Sequence, residues 1–368
     1  MRNIRQSIEK SNYPHLTHSH TMEMIEFEFS ELIPGLPEEL GLDCITRLPY
    51  TTHRLASAVC RRWHQLISSP DFYYHRRKSG TTRLLACFIQ ALPPAFSTTG
   101  WKLCTSLAYG LTVFDSLSQS WDRIPPIPQY PDGVPLFCHI ASTEGKLVLM
   151  GGWDPETYDP IVDVFVYDFT RCAWRKGKDM PSKRSFFAIG ASDGRIYISG
   201  GHDESKNALK SAWVYDLRTD KWTELPQMSQ GRDECEGLMV GREFWVVSGY
   251  DTERQGMFDA SAEVYNLDSG EWRVVEEAWE AGRCPRACVG MDKEGKLTNW
   301  SELAPAVRVG ACGMVIGSRT LVTGSEYQGA PQNFYVMETE EGQNGKMMKI
   351  KVPEEYGGYV QSGCCVEV

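Results

Sequence analysis

A chain of 368 residues, 42% apolar and 23% charged, has the composition of a folded globular protein and length enough for two domains. Its formal net charge of −10 disfavours nucleic acid or an anionic membrane as a general partner, and no apolar run approaches the ~20 residues that span a bilayer. Twelve cysteines without a framework spacing read as reduced thiols of a cytoplasmic or nuclear protein. The close pairs, Cys284 with Cys288 and Cys364 with Cys365, lack a second half, so neither a metal site nor a cofactor is expected.

Residues 1–30 are polar, with His15, His18 and His20 among Ser, Thr and Asn, and read as a disordered N-terminal extension without a secretory signal. From Glu31 to Ser79 the pattern is helical. Leu36-Pro37-Glu38-Glu39-Leu40 opens a helix with Pro in its first turn and two acids at the positive end of the dipole. Leu36, Leu40, Cys44 and Leu48 fall on one line and Leu42 and Ile45 on another, until Pro49 stops the run. Thr51 or Thr52 caps a second run in which Leu55, Val59, Trp63, Leu66 and Ile67 recur at helical spacing, and Ser68-Ser69-Pro70-Asp71 ends it. So short a helical segment, apolar on more than one face, implies a partner. The basic run His75-Arg76-Arg77-Lys78 decorates a linker before residue 83.

Beyond that point one unit recurs. An apolar run closes on paired glycines at Gly151-Gly152, at Gly200-Gly201 and, degenerate, at Gly249-Tyr250. An aromatic residue followed by Asp or Asn stands at Phe114-Asp115, Tyr167-Asp168, Tyr215-Asp216 and Tyr265-Asn266, and Trp121, Trp174, Trp222 and Trp272 follow at spacings of 53, 48 and 50. A period near 50 with only short strands predicts a β-propeller of four-stranded blades. Expected strands include Arg83–Gln90, Gly110–Asp115, Ser185–Ala191, Arg195–Ser199 and Ala212–Tyr215, with Ser192-Asp193-Gly194 as a tight hairpin. The opening strand of the first blade is missing, and Tyr359–Val368 resembles Ser185–Ala191, so the last strand is expected to close the ring. Arg286–Asp292 opens a fifth blade that Gly295–Leu303 compresses, and Gly310–Gly317, Thr320–Gly324, Phe334–Glu338 and Met347–Val352 supply another. Six blades with one degenerate fit better than five with an insertion. Arg184, Arg232, Arg286 and Arg308 recur before opening strands and read as partners of loop carbonyls.

These glycine, Tyr-Asp and Trp markers resemble the kelch repeat. Leu36-Pro37-x-Glu39-Leu40, Arg47-Leu48-Pro49, Val59-Cys60-Arg61-x-Trp63 and Leu66-Ile67 with Phe72 resemble an F-box. The resemblance implies a small helical F-box over residues 31–79 and a kelch propeller over 83–368, hence a substrate receptor of an SCF ubiquitin ligase with no catalysis of its own. The Skp1 contacts it implies are Leu36, Pro37, Leu40, Ile45, Leu48, Val59, Cys60, Trp63 and Leu66, and a cullin would join through Skp1. The polar loops after the paired glycines offer a target-binding rim of Trp153, Tyr158, His202, Asp203, Arg254, Met257 and Phe258. Ile33-Pro34-Gly35-Leu36-Pro37 and Gln361-Ser362-Gly363-Cys364-Cys365 look like a plant subgroup linked to turnover of phenylalanine ammonia-lyase, the first expectation for the target, or of type-B cytokinin response regulators. Two alternatives belong to other classes. A copper-dependent propeller enzyme needs imidazole ligands, and only His139 and His202 lie in the repeats. A scaffold working without ubiquitin would fail to bind Skp1.

Overall fold

The computed structural model describes residues 31–93, 108–292, 295–303, 306–338 and 347–368; the extension expected over residues 1–30 lies outside the described residues. The chain divides into two compact units, Met1–Leu48 and Pro49–Val368. The sequence sets its domain boundary between residues 79 and 83, whereas the helices after Pro49 belong physically with the propeller.

In the first unit, helix α1 (Glu38–Thr46) starts behind Pro37 with Glu38 and Glu39 in its first turn. The chain before it folds back on the helix: a Cβ on the buried Gly41 would stand 3.1 Å from Leu32 Cβ. Gly35 N–H donates to the Glu31 carboxylate at 2.6 Å and closes that turn.

The second unit begins with a 3-10 turn (Tyr50–Thr52) and helices α2 (His53–Ala56), α3 (Arg61–Ile67) and α4 (Pro70–Lys78). The single helical run expected up to Ile67 is thus two helices. Cys60 is extended, at φ −157° and ψ 167°, and its Sγ accepts Trp63 N–H at 3.4 Å as the cap of α3. The expected stop at Ser68–Asp71 is a start: Ser69 Oγ accepts Phe72 N–H at 3.2 Å and Pro70 occupies the first turn of α4. The basic run 75–78 is therefore the last turn of a helix, where cations suit the dipole, and not a linker. Arg76 is buried, donating to His53 Nε2 and to Thr81 O, and burial draws its guanidinium down to about 10.

The propeller follows. Strands β1 (Leu84–Ala91), β2 (Tyr109–Asp115) and β3 (Ser120–Arg123) belong to the first blade. The second holds β4 (His139–Thr143), β5 (Lys146–Met150), β6 (Val164–Asp168) and β7 (Ala173–Lys176). The third holds β8 (Ala188–Ser192), β9 (Arg195–Ser199), β10 (Ala212–Asp216) and β11 (Lys221–Leu225). The fourth holds β12 (Glu236–Val240), β13 (Glu243–Val247), β14 (Ala262–Asn266) and β15 (Glu271–Val275). Next come β16 (Val289–Met291), β17 (Leu297–Asn299) and a helical turn, α5 (Trp300–Leu303). The last complete blade in chain order is β18 (Val309–Ile316), β19 (Arg319–Ser325), β20 (Asn333–Glu338) and β21 (Met347–Lys349). Strand β22 (Val360–Glu367) then pairs with β1, Cys87 opposite Cys364, so the C-terminus completes the first blade as its sequence predicts.

Among the described residues there are five four-stranded sheets and one two-stranded sheet, β16–β17, where the compressed repeat falls. The innermost strands β22, β4, β8, β12, β16 and β18 neighbour one another in that order around a central channel, and β18 meets β22 to close the ring. The core lies between blades: Val148, Met150 and Val166 of the second pack on Ile189, Ile196 and Tyr215 of the third. Each repeated Trp lies against the aromatic ring opposite it across the strand pair, Trp121 against Phe114 and the others against a Tyr, with Trp222 stacked on Tyr215 at 5.0 Å. In the second, third and fourth blades the indole N–H reaches the linker from the preceding blade: Trp174 to Pro125 O, Trp222 to Lys178 O and Trp272 to Pro226 O.

The paired glycines end inner strands where backbones crowd. Gly200 and Gly201 both adopt positive φ, and a Cβ on Gly201 would stand 2.3 Å from Ser185 O. Their counterpart in the fourth blade is Ser248-Gly249, with φ 60° and 89°, one residue earlier than the Gly249-Tyr250 read from the sequence. Tyr250 is instead the partner of Asp233 in a β-bridge, as His202 is of Ser185 and Trp153 of Leu136.

Candidate functional site

Two surfaces carry the residues singled out by the sequence. In the first unit, Pro37 is exposed, Leu36 and Leu48 are half-buried and Leu40 is 54% exposed, while Ile45 is 1% exposed and faces inward. Of the nine residues expected to contact an adaptor, Ile45 thus shapes the helix packing and offers no docking surface. In the second unit, Val59 is 64% exposed, Cys60 is exposed, and Trp63 and Leu66 are half-buried. Leu55 is 74% exposed, more than Leu40 or Val59. It fits the same helical period, yet the F-box pattern did not single it out.

Helix α4 ties these helices to the propeller at the side of its β-hairpin turns. Tyr73 Oη donates to the Glu367 carboxylate at 3.0 Å, and Thr82 Oγ1 donates to the same group at 2.8 Å. Tyr74 Oη donates to Glu144, which Arg218 also grips, at 2.6 Å, with its guanidinium packed on the Tyr74 ring. Glu144 and Arg218 come from the second and third blades, so the contact spans neighbouring repeats. Burial and the Glu367 carboxylate both hold the Tyr73 phenol well above its ordinary range.

The opposite side of the propeller presents the loops after β5, β9 and β13. Tyr158 is 58% and Met257 67% exposed, Arg254 is exposed but ion-paired with Asp251 at 2.8 Å, and Asp203 and Phe258 are half-buried. His202 does not belong on this surface. At 5% exposure it hydrogen-bonds through Nδ1 to Asp233 Oδ1 at 2.7 Å and through Nε2 to Lys206 Nζ at 2.9 Å. Trp153 holds the equivalent place one blade earlier, its Nε1–H donating to Ser185 Oγ at 2.8 Å and Lys206 Nζ lying 4.9 Å from its ring. These side chains lock one blade to the next, a role invisible in a polar loop sequence. Asp203 caps its own loop, accepting N–H bonds from Ser205 and Asn207.

Sequence reasoning missed the channel. It has a volume of about 1030 Å³ and is walled by the innermost strands, with Phe137, Phe186, Arg286 and Tyr359 at its loop-side mouth. Phe137 and Phe186 adopt positive φ, at 55° and 54°, as do Glu234 and Ala287 in the corresponding places of later blades. Inside, the half-buried Glu236 carboxylate accepts Ala287 and Gly237 N–H, and desolvation raises its pKa. Burial and the nearby Arg286 charge push His139 down to about 3, which keeps it neutral. Among the described residues no group of three or more His, Cys, Asp or Glu is placed to hold a metal ion. No described helix is long and apolar enough to cross a membrane.

Residues 33–75 match the F-box domain and residues 103–292 the KLHDC2/KLHL20/DRC7 Kelch-repeats domain. This chain belongs to the F-box/kelch-repeat proteins. It is 38% identical to the Arabidopsis thaliana F-box/kelch-repeat protein At2g44130, covering 73% of this chain and 71% of the relative. It is likewise 38% identical to F-box/kelch-repeat protein SKIP20 of the same plant, over 68% of this chain and 67% of the relative. A third Arabidopsis relative, At1g15670, is 34% identical over 92% of this chain and its own full length. The solved structure of YjhT shares the propeller fold, with a TM-score of 0.53 at 12% identity over 71% of this chain and 97% of that one. An F-box joined to kelch repeats supports the role of an SCF substrate receptor, with Skp1 on the F-box and a target protein on the propeller. F-box/kelch proteins are typically adaptors without catalysis of their own.

Proposed function

We propose that this F-box/kelch protein recruits phenylalanine ammonia-lyase to an SCF ubiquitin ligase, in the cytoplasm or nucleus, for ubiquitination and proteasomal degradation. The adaptor half of the reading rests on one observation: helices α2–α4 and the variable loops lie at opposite sides of the propeller, with α4 bonded to the hairpin-turn side through Tyr73 and Tyr74. A ligase gripped at one side and a target held at the other raises the effective concentration of target lysines near the charged enzyme. Apolar side chains for Skp1 are offered in the first unit by exposed Leu40 with Leu36, Pro37 and Leu48, and in the second unit by exposed Leu55 and Val59 with Cys60, Trp63 and Leu66. The choice of target rests on the likeness of Ile33–Pro37 and Gln361–Cys365 to the subgroup.

Affinity purification from plant cells with the proteasome inhibited tests both halves. The intact chain is expected to bring down Skp1, cullin and the lyase, and Leu36→Ala with Pro37→Ala to lose the ligase subunits while keeping the lyase. Type-B response regulators in place of the lyase would redirect the target. Ligase assembly that survives the double substitution would remove the docking assignment, and absence of ligase subunits from the intact chain would leave a scaffold.

A further inference from the structure

The structure isolates one arginine. Arg184 and Arg232 do what their recurrence predicts: both are buried, Arg184 donating to Gly200 O and Ser211 O, Arg232 to Ser248 O and Ser261 O. Arg286 does not. Aligned on the positive-φ residues Phe186, Glu234 and Ala287, it takes the place held by Ser185 and Asp233 in earlier blades, and Pro285 takes the place of the buried arginine.

Ser185 and Asp233 are the acceptors of the inter-blade locks from Trp153 and His202. Tyr250, which stands where a third lock would originate, donates to Glu234 instead, at 3.1 Å. Arg286 is therefore released: it is exposed, its guanidinium lies 4.7 Å from the Phe186 ring centroid, and it forms no ion pair with a described carboxylate. Its loop-side neighbours are committed, Arg254 to Asp251 and Arg283 to Glu280 and Glu302.

We propose that Arg286 is the anion-binding point of the channel mouth, and that a target segment enters there as an extended peptide with a side-chain carboxylate on this guanidinium. The proposal rests on the reading of the propeller as the target receptor. A guanidinium laid on an aromatic face keeps its N–H edges free for bidentate pairing with a carboxylate. Phe137 and Tyr359 at the mouth offer apolar surface to flanking residues, and the cavity of about 1030 Å³ has room for side chains. The outer loops are acidic, with Asp154, Glu156, Asp159, Asp203 and Glu204, so like-charge repulsion steers a carboxylate away from the rim and toward Arg286.

The test uses the full-length chain, immobilised with its Skp1 partner, and two matched peptide pools. Each pool has random aromatic, apolar and glycine positions around one fixed central residue, Glu in the first and Gln in the second. The wild type is expected to retain the Glu pool about fivefold over the Gln pool, the upper end for one ion pair at an exposed site. Arg286→Gln should abolish that preference, Arg286→Lys should keep part of it, and Arg283→Gln should leave it whole, with melting temperatures confirming that each variant is folded. Equal retention of the pools, retention of neither, or a preference that survives Arg286→Gln overturns the proposal. Skp1 recovery from the same beads reports on the adaptor reading separately, because no substitution here touches the helices.

Discussion

The third and fourth blades solve the same problem at one residue in different ways. Arg184 and Arg232 are each 1% exposed, and each satisfies loop carbonyls and a serine hydroxyl. Arg232 also has a counter-ion, Glu263, at 3.1 Å and 1% exposed, whereas the corresponding position of the third blade is Trp213 and burial draws Arg184 down to about 10. Removing one partner of a buried pair leaves an uncompensated charge, which costs about 3–5 kcal/mol, while replacing both is far milder. Arg232→Met is therefore expected to lower stability by about 3 kcal/mol or more, and Arg232→Met with Glu263→Gln by clearly less. Urea unfolding of the two variants checks this; a double variant less stable than the single one would show that the pair contributes through its geometry and not through charge compensation.

At the scale of elements, α4 is the piece whose role the sequence conceals. Its Ser-Ser-Pro-Asp start reads equally as a helix stop, and its basic last turn reads as a linker, because both signals are local and ambiguous. What decides is the far partner: Glu367 lies 294 residues from Tyr73, and Glu144 70 from Tyr74. Tyr73→Phe with Tyr74→Phe removes both hydroxyl bonds while keeping the rings. The amides of α4 are then expected to exchange with solvent about thirtyfold faster, as losing two charge-assisted bonds of roughly 1 kcal/mol each at partly exposed sites implies, while the amides of β9 and β13 stay protected. Unchanged exchange in α4 would mean that ring packing alone holds the helix.

For the whole molecule, closure is the feature on which the others depend. Without β22 the strand β1 loses its inner partner, the buried Val360 and Val366 leave the interfaces on either side of the first blade, and β18 loses its neighbour. Two sheet edges are then open to other chains. Deletion of residues 359–368 is expected to yield aggregated protein with no cooperative melt; a soluble monomer melting like the intact chain would refute closure by the terminus.

Much of this protein was legible in its residues because its fold is periodic. Paired glycines, Tyr-Asp strands and tryptophans at a spacing near 50 are forced by backbone crowding, cross-strand stacking and linker anchoring, and each leaves a local mark in every blade. The first F-box helix was legible from its apolar spacing, and the closing strand from its likeness to Ser185–Ala191. Tertiary structure alone decided the rest. It placed Ile45 inside, turned His202 and Trp153 into locks between blades, shifted the fourth repeat by one residue at Ser248-Gly249, and set Pro285 in the buried place of the recurring arginine so that Arg286 stands at the channel mouth. Those outcomes depend on partners supplied by neighbouring blades, and a pattern read along one strand carries no record of which residue the next blade brings against it.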